Sequence, residues 1–198
     1  MDETAIYYEN IYDTTISKIG EKSLIIHDIG KEKLRISAVP CILADGTKLS
    51  PLFIFRGKTN GPKEQDLKKI NMWLVEGDIF AKCQPNAWTD HDIFMYWVKN
   101  IWLLSSIYKS VKESILILDR AKTHFDTNLS NYFSVNNSKY ILIPTRLTSS
   151  LQPLIMGINK EIKVFMKQCD SQLRINNNNT RAPNEEEIIE MFHYIWYI

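Results

Sequence analysis

Two short apolar runs, ILIL at 115–118 and YILI at 140–143, constrain this chain more than any other feature. Each is too short for a helix and too apolar for the edge of a sheet. Asp119 ends the first and Pro144 stops the second. Runs of this kind read as buried, neighbouring parallel strands, and parallel neighbours need a crossover between them. The helix-like stretch near residues 125–135 supplies it, so the chain is expected to be α/β.

A second signal lies upstream. Residues 36–55, ISAVPCILADGTKLSPLFIF, are two β-rich runs around Asp45-Gly46, a pair that favours a two-residue hairpin turn. In that hairpin facing residues have numbers summing to 91, which sets Pro40 against Pro51 at a hydrogen-bonded site. Neither proline has an N–H to give, so the ladder must end, bulge or shift register there. Residues 56–72 are polar, hold Gly57, Gly61 and Pro62, and read as a long loop before an apolar patch at 72–75.

Helices follow. Thr89 and Asp92 stand at capping-box spacing, and Ile93, Phe94, Trp97, Val98, Ile101 and Trp102 repeat at helical period, which reads as a core stripe. Ile155, Ile158, Ile162, Phe165, Met166 and Cys169 mark a further amphipathic helix from Pro153 to about Leu173. Asn184 with Glu185, Glu186 and Glu187 opens a last helix, the acids suiting its positive start. The expected organisation is one domain over 1–175, a polar linker over 176–183, and a C-terminal helix of the same domain over 184–198.

Composition bounds the function. With 198 residues, 44% of them hydrophobic and 24% charged, this is a single globular domain with a sizeable core, which excludes a disordered tail or a fibre. Lys and Arg number 24 against 23 Asp and Glu, so the whole-chain charge attracts neither nucleic acid nor a membrane from a distance. Residues 31–69 carry nine basic against four acidic side chains, either a solvated loop surface or a binding patch. Cys41, Cys83 and Cys169 lie far apart with no Cys-x-x-Cys pair, and read as buried, reduced thiols, neither a disulfide framework nor a zinc knuckle. The acidic start MDETAIYYEN is unlike a targeting signal, and no apolar run approaches the ~18 residues of a membrane span, so an intracellular protein is expected.

Two acidic features could carry chemistry. Asp119 stands at the carboxyl end of a buried strand, where sites of parallel sheets lie, although a strand-end Asp capping the next turn reads equally well. Asp2 and Glu3 form a pair at the start. Five ordered blocks then carry a resemblance: MDETAIYY, LRISAVPCILADGTKLSPLFIFRGK, PNAWTDHDIFMYWVKNIW, ILILDRAKTH and LIPTRLTSSLQPLIMGINKEIK. Together they resemble the DDE superfamily endonuclease domain of pogo, Tigger and jerky type transposases, over Met1 to about Lys163.

That resemblance implies an RNase H-like fold, a mixed sheet with an antiparallel hairpin and flanking helices. Three acids of that fold hold two Mg²⁺ or Mn²⁺ ions for phosphodiester cleavage and strand transfer, hard cations preferring carboxylate oxygen. It implies DNA as partner and the nucleus as location, with neither membrane nor small-molecule cofactor. Carried over residue by residue, Asp2 is the first catalytic acid and metal ligand and Asp119 the second. Glu3, His124 and Gln152 are candidates for supporting positions. His124 reads first as a turn residue bonded to backbone, with a supporting or DNA-facing role as the alternative, and Gln152 reads as a brace for the helix entry near the site. His27, His91 and His193 read as surface or helix residues.

The chain departs from the pattern twice. Ile155 stands directly after LQPL, 36 positions beyond Asp119, where the family has its third acid. Asn159 is one helical turn on and a weak neutral ligand, and Glu161 falls about 240° around the helix, so neither is expected to replace it. In the family Asp2 ends the first core strand; only Met1 precedes it here, so that strand is expected to be missing. The resulting expectation is a transposase-derived domain whose ancestral two-metal cleavage is lost and whose metal binding is weak. The alternatives are a domesticated nuclear DNA- or protein-binding module, and an active endonuclease within a longer chain.

Overall fold

The structure, a computed structural model, describes residues 1–8, 19, 34–70, 80–105, 113–120, 127–176 and 181–197. Strand β1 (Thr4–Tyr7) lies antiparallel to β2 (Arg35–Val39), with Thr4 opposite Ala38 and Tyr7 opposite Arg35. Strand β3 (Leu52–Arg56) pairs antiparallel with β2, setting Ser37 opposite Ile54, Ala38 opposite Phe53 and Val39 opposite Leu52, the register read from the sequence. The turn differs. Leu43 N–H donates to Thr47 O at 2.9 Å and Ile42 bridges to Lys48, so near the tip the facing numbers sum to one less. The loop is therefore three residues, Ala44 to Gly46, and not two. Gly46, at φ 87°, supplies the left-handed residue that closes such a turn without a Cβ penalty. Pro40 and Pro51 stand between the two registers, where no N–H is available to resist the slip.

The polar stretch after β3 is not all loop. Pro62 opens helix α1 (Pro62–Ile70), at a position where its missing N–H costs nothing. The Glu64 side chain, wholly buried, accepts from Asn60 N–H at 3.1 Å, Cys83 N–H at 3.0 Å and the Lys82 ammonium at 3.2 Å. Burial raises its pKa, but these donors outweigh it and hold the carboxyl below its usual range. Glu64 thereby clamps α1 to β4 (Phe80–Gln84), which runs parallel to β3 and completes a four-stranded sheet ordered β1-β2-β3-β4. The alternation in FAKCQ was too short to read as a strand alone. The apolar patch at 72–75 lies outside the described residues.

Helix α2 (His91–Trp97) is capped by Asp90, which accepts from Ile93 N–H at 2.9 Å, one residue later than the capping box expected at Thr89. Thr89 N–H is committed elsewhere, to Glu3. The helix widens into a π turn over Val98–Trp102 that keeps the apolar stripe buried. Strands β5 (Ser114–Leu118) and β6 (Ser138–Leu142) pair in parallel, joined through α3 (Thr127–Val135), as the two apolar runs required. Their burial is one-sided: Leu116 and Leu118 are buried, whereas Ile115, Ile117 and Ile141 are exposed. Apolar runs are thus not evidence of cover on both faces.

A short helix α4 (Thr148–Leu151) leads into a π turn (Leu154–Ile158) and then α5 (Asn159–Asn176), which takes in the first residue of the expected linker; 177–180 lie outside the described residues. In α6 (Glu185–Tyr197) the cap is reciprocal, Glu187 N–H donating to Asn184 Oδ1 at 2.9 Å and Asn184 N–H to Glu187 Oε2 at 2.8 Å. One core packs Ile36, Ala38, Phe53 and Phe55 against Ile162, Met166, Phe192 and Trp196. The other packs Val39, Leu52 and Ile54 with Phe94, Trp97, Leu116, Leu118 and Phe133, and so fastens the β5–β6 pair to the main sheet. All three cysteines are free; Cys41 and Cys83 are buried, but Cys169 is only half-buried because it sits at the rim of α5.

Candidate functional site

Asp2 lies where the two sheets meet. Its N–H donates to Pro40 O at 3.2 Å, prolonging the β1–β2 ladder, while the Met1 nitrogen reaches Ile117 O of β5 at 3.4 Å. Asp119 follows β5 directly and stands near enough for its charge to raise the Asp2 pKa. Burial is the larger cause, Asp2 being 8% exposed, and the Glu3 N–H, the Asn159 amide and the Met1 amino group pull the other way without cancelling it. Asp2 precedes β1 and does not end a strand in the described residues.

The opposite wall comes from the LQPL segment. Ile155, in the π turn, lines a cleft of about 520 Å³ together with Asp2, Glu3, Thr4 and Asn159. Asn159 is the residue that reaches the acid: its Nδ2 donates to Asp2 Oδ2 at 2.5 Å, both groups buried. Read from sequence as a weak substitute ligand, Asn159 instead holds the carboxylate by an N–H. Gln152, also buried, braces the entry, its Nε2 donating to Met1 O at 3.2 Å while its backbone carbonyl accepts from Ile155 and Met156 N–H at 3.1 Å each. Among the described residues Thr4 Oγ1, Gln152 Oε1 and Asn159 Oδ1 are buried oxygens without a hydrogen-bond partner. Glu161 lines a different cleft, beside Trp196.

Glu3 is a tie. Its carboxylate lies 2.7 Å from the Ser37 hydroxyl and accepts from Thr89 N–H at 3.1 Å, which fastens β1 to the loop before α2. His124 and His27 lie outside the described residues. His91 is exposed at the start of α2, and His193, half-buried against Tyr197, has its pKa lowered by that burial. Lys160, Lys163 and Lys167 of α5 also line the acidic cleft. Their three- and four-residue spacing is visible in the sequence but carries no site signal there, because lysines at helical period ordinarily mark a solvated face.

The state of Asp2 sets a pH dependence. Its folded pKa is raised, so the stability it contributes is fully present below its unfolded value of 3.8 and is lost as pH rises through the folded value. Asp2→Asn, which can still accept from Asn159, is therefore expected to melt above the parent at pH 7, with the difference closing near pH 3. Thermal melts across that range measure it, and a variant melting at or below the parent at pH 7 would show the carboxylate to be stabilising.

The donors present are two carboxylates, Asp2 and Asp119, with neutral amide and hydroxyl oxygens around the first. Among the described residues no group of three or more His, Cys, Asp or Glu side chains is placed to hold a metal ion. A mixed four-stranded sheet, a parallel pair beside it, flanking helices and two acids at their junction make a mixed α/β domain compatible with the RNase H-like architecture. The DDE superfamily endonuclease family matches residues 33–196, and the chain belongs to that family. Among curated relatives, the human Pogo transposable element with KRAB domain is 29% identical over 161 residues, covering 81% of this chain and 25% of that protein. The human Pogo transposable element with ZNF domain is 22% identical over 175 residues, covering 88% and 11%. The mouse Jerky protein is 29% identical over 136 residues, covering 65% and 22%. The chain thus spans about a quarter or less of the length of these relatives. No solved structure matches it. No described helix is long and apolar enough to cross a membrane.

Proposed function

We propose that this chain is a transposase-derived, RNase H-like DNA-binding domain, acting in the nucleus, in which two-metal phosphodiester cleavage is lost. The observation that carries this reading is the wall opposite Asp2, which presents Ile155 and the Asn159 amide where the family resemblance implies a third carboxylate. A pair of divalent ions needs shared, charged oxygen ligands. Here one oxygen of Asp2 already accepts an amide N–H, and Ile155 offers no donor, so the residues do not fit the metal pair that the family implies. Neutral oxygens around Asp2 are weak replacements for a carboxylate. The lysines of α5 support retained DNA binding, since cations beside a cleft attract phosphates whether or not it cleaves them.

The test is plasmid nicking with Mg²⁺ or Mn²⁺, with calorimetric titration of Mn²⁺ in parallel. The expected result is no metal-dependent nicking and feeble Mn²⁺ uptake. Nicking that requires the metal and disappears in Asp119→Asn would establish instead that the site is active.

A further inference from the structure

A second cleft, of about 530 Å³, shares no lining residue with the acidic one. Its walls include Tyr7, Arg35, Arg56 and Trp88. Tyr7 stands opposite Arg35 and Arg56 opposite Gln84; carrying the β2–β3 register two places beyond Ser37 and Ile54 sets Arg35 beside Arg56. Among the described residues neither guanidinium has an acidic partner. Like charges facing each other across strands are unfavourable, and an anion between them removes that cost.

The aromatic side chains narrow the choice of anion. The Arg35 guanidinium lies 4.0 Å over the Trp88 ring, yet Trp88 remains 46% and Tyr7 43% exposed. Trp88 is held from both sides by its backbone. Gln84 Oε1 accepts from Asn86 N–H at 2.6 Å and Trp88 N–H at 3.3 Å, Ala87 O lies 2.7 Å from the Ser37 hydroxyl, and Thr89 N–H is bound by Glu3. Ala87 itself is at φ 52°, a left-handed conformation that these contacts sustain. An exposed indole on so fixed a loop is preorganised, and a ligand stacking on it has little left to order.

We propose that this cleft binds one unpaired nucleotide of a single-stranded nucleic acid, its base stacked on the Trp88 and Tyr7 side and its phosphate between Arg35 and Arg56. A duplex base is already stacked on its neighbours and cannot enter, and a free phosphate makes no use of the rings. The site adds a strand-specific contact to the DNA-binding reading, but it rests on this cleft alone and requires no catalysis.

The test is fluorescence anisotropy of short labelled oligothymidylate and oligouridylate with the 198-residue chain in EDTA, which removes any metal-dependent binding, with a duplex of equal length in parallel and inorganic phosphate as competitor. Trp88→Ala is expected to weaken single-strand binding between about five- and about 150-fold, the range of one lost base stack, and to leave duplex binding unchanged. Trp88→Phe should retain most of the affinity. Arg56→Ala should weaken binding and flatten its salt dependence by about one phosphate contact. An unchanged affinity in Trp88→Ala, or an equal loss for duplex, would overturn the assignment. Should melting show Trp88→Ala unfolded, Arg56→Ala decides, because its side chain makes no bond among the described residues: single-strand affinity and salt slope equal to the parent's would refute the cleft.

Discussion

Ile155→Asp is expected to raise the Mn²⁺ affinity of this chain by at least about tenfold, since even a residue that merely supports a ligand carries about 10–100-fold in metal affinity. The position suits a carboxylate. Ile155 is 37% exposed, so a charge there keeps water, and it lies at the start of the helical run that continues into α5, where the dipole favours an anion by about 0.3–1 kcal/mol. It shares the cleft with Asp2, whose ionised form is already disfavoured by burial and by the Asp119 charge. A third carboxylate adds repulsion that only a bound cation relieves, so Mn²⁺ should also raise the melting temperature of the variant more than that of the parent. Calorimetry with Ile155→Asn as the neutral control reads the effect. If the Asn variant gains as much, or if adding Asp119→Asn to Ile155→Asp leaves the affinity unchanged, the three positions do not form one site.

The largest loss of stability is expected from Trp196→Ala, about 3–5 kcal/mol, a substantial part of the 5–15 kcal/mol typical of a whole domain. Trp196 is 1% exposed at the end of the α6 stripe formed by Ile188, Ile189, Phe192 and Trp196. Its ring lies 5.9 Å from that of Phe192, which meets Phe53 of the sheet edge-on at 5.1 Å. Its indole N–H donates to Leu49 O at 2.8 Å in a buried bond, tying the last helix to the hairpin 147 positions earlier. Truncation removes the ring volume and leaves a buried carbonyl unpaired. Trp196→Phe separates the two losses: it keeps most of the volume and should cost about 1–3 kcal/mol. Urea denaturation measures both, and a Trp196→Ala cost under about 1 kcal/mol would mean that α6 is not fastened to the core through this residue.

Local signals fared according to how many residues carried them. The β2–β3 register, the parallel β5–β6 pair with its crossover, and the Asn184 cap were all legible, because alternation, apolar runs and capping chemistry act within a few residues of one another. The turn departs from the sequence expectation by one residue because Asp45-Gly46 suits both a two-residue turn and a three-residue loop closed by Gly46, and the two prolines let the register slip between them. Helix α1 was hidden because its stabilising contact is tertiary: Glu64 is buried by bonding to Lys82 and Cys83, not by an apolar stripe of its own.

The sequence by itself determined the family, the identity of the acids at positions 2 and 119, and the apolar residue at 155, since these depend only on which residues occur in which order. Only the tertiary structure decided what surrounds them. That Asn159 grips Asp2 across 157 positions, that Glu3 ties the Thr89 loop, and that Arg35 lies over one face of Trp88 follow from which strands pair and where a helix crosses them. Side-chain chemistry is written residue by residue, but burial, pairing and charge proximity belong to the packed arrangement, and no local pattern encodes them.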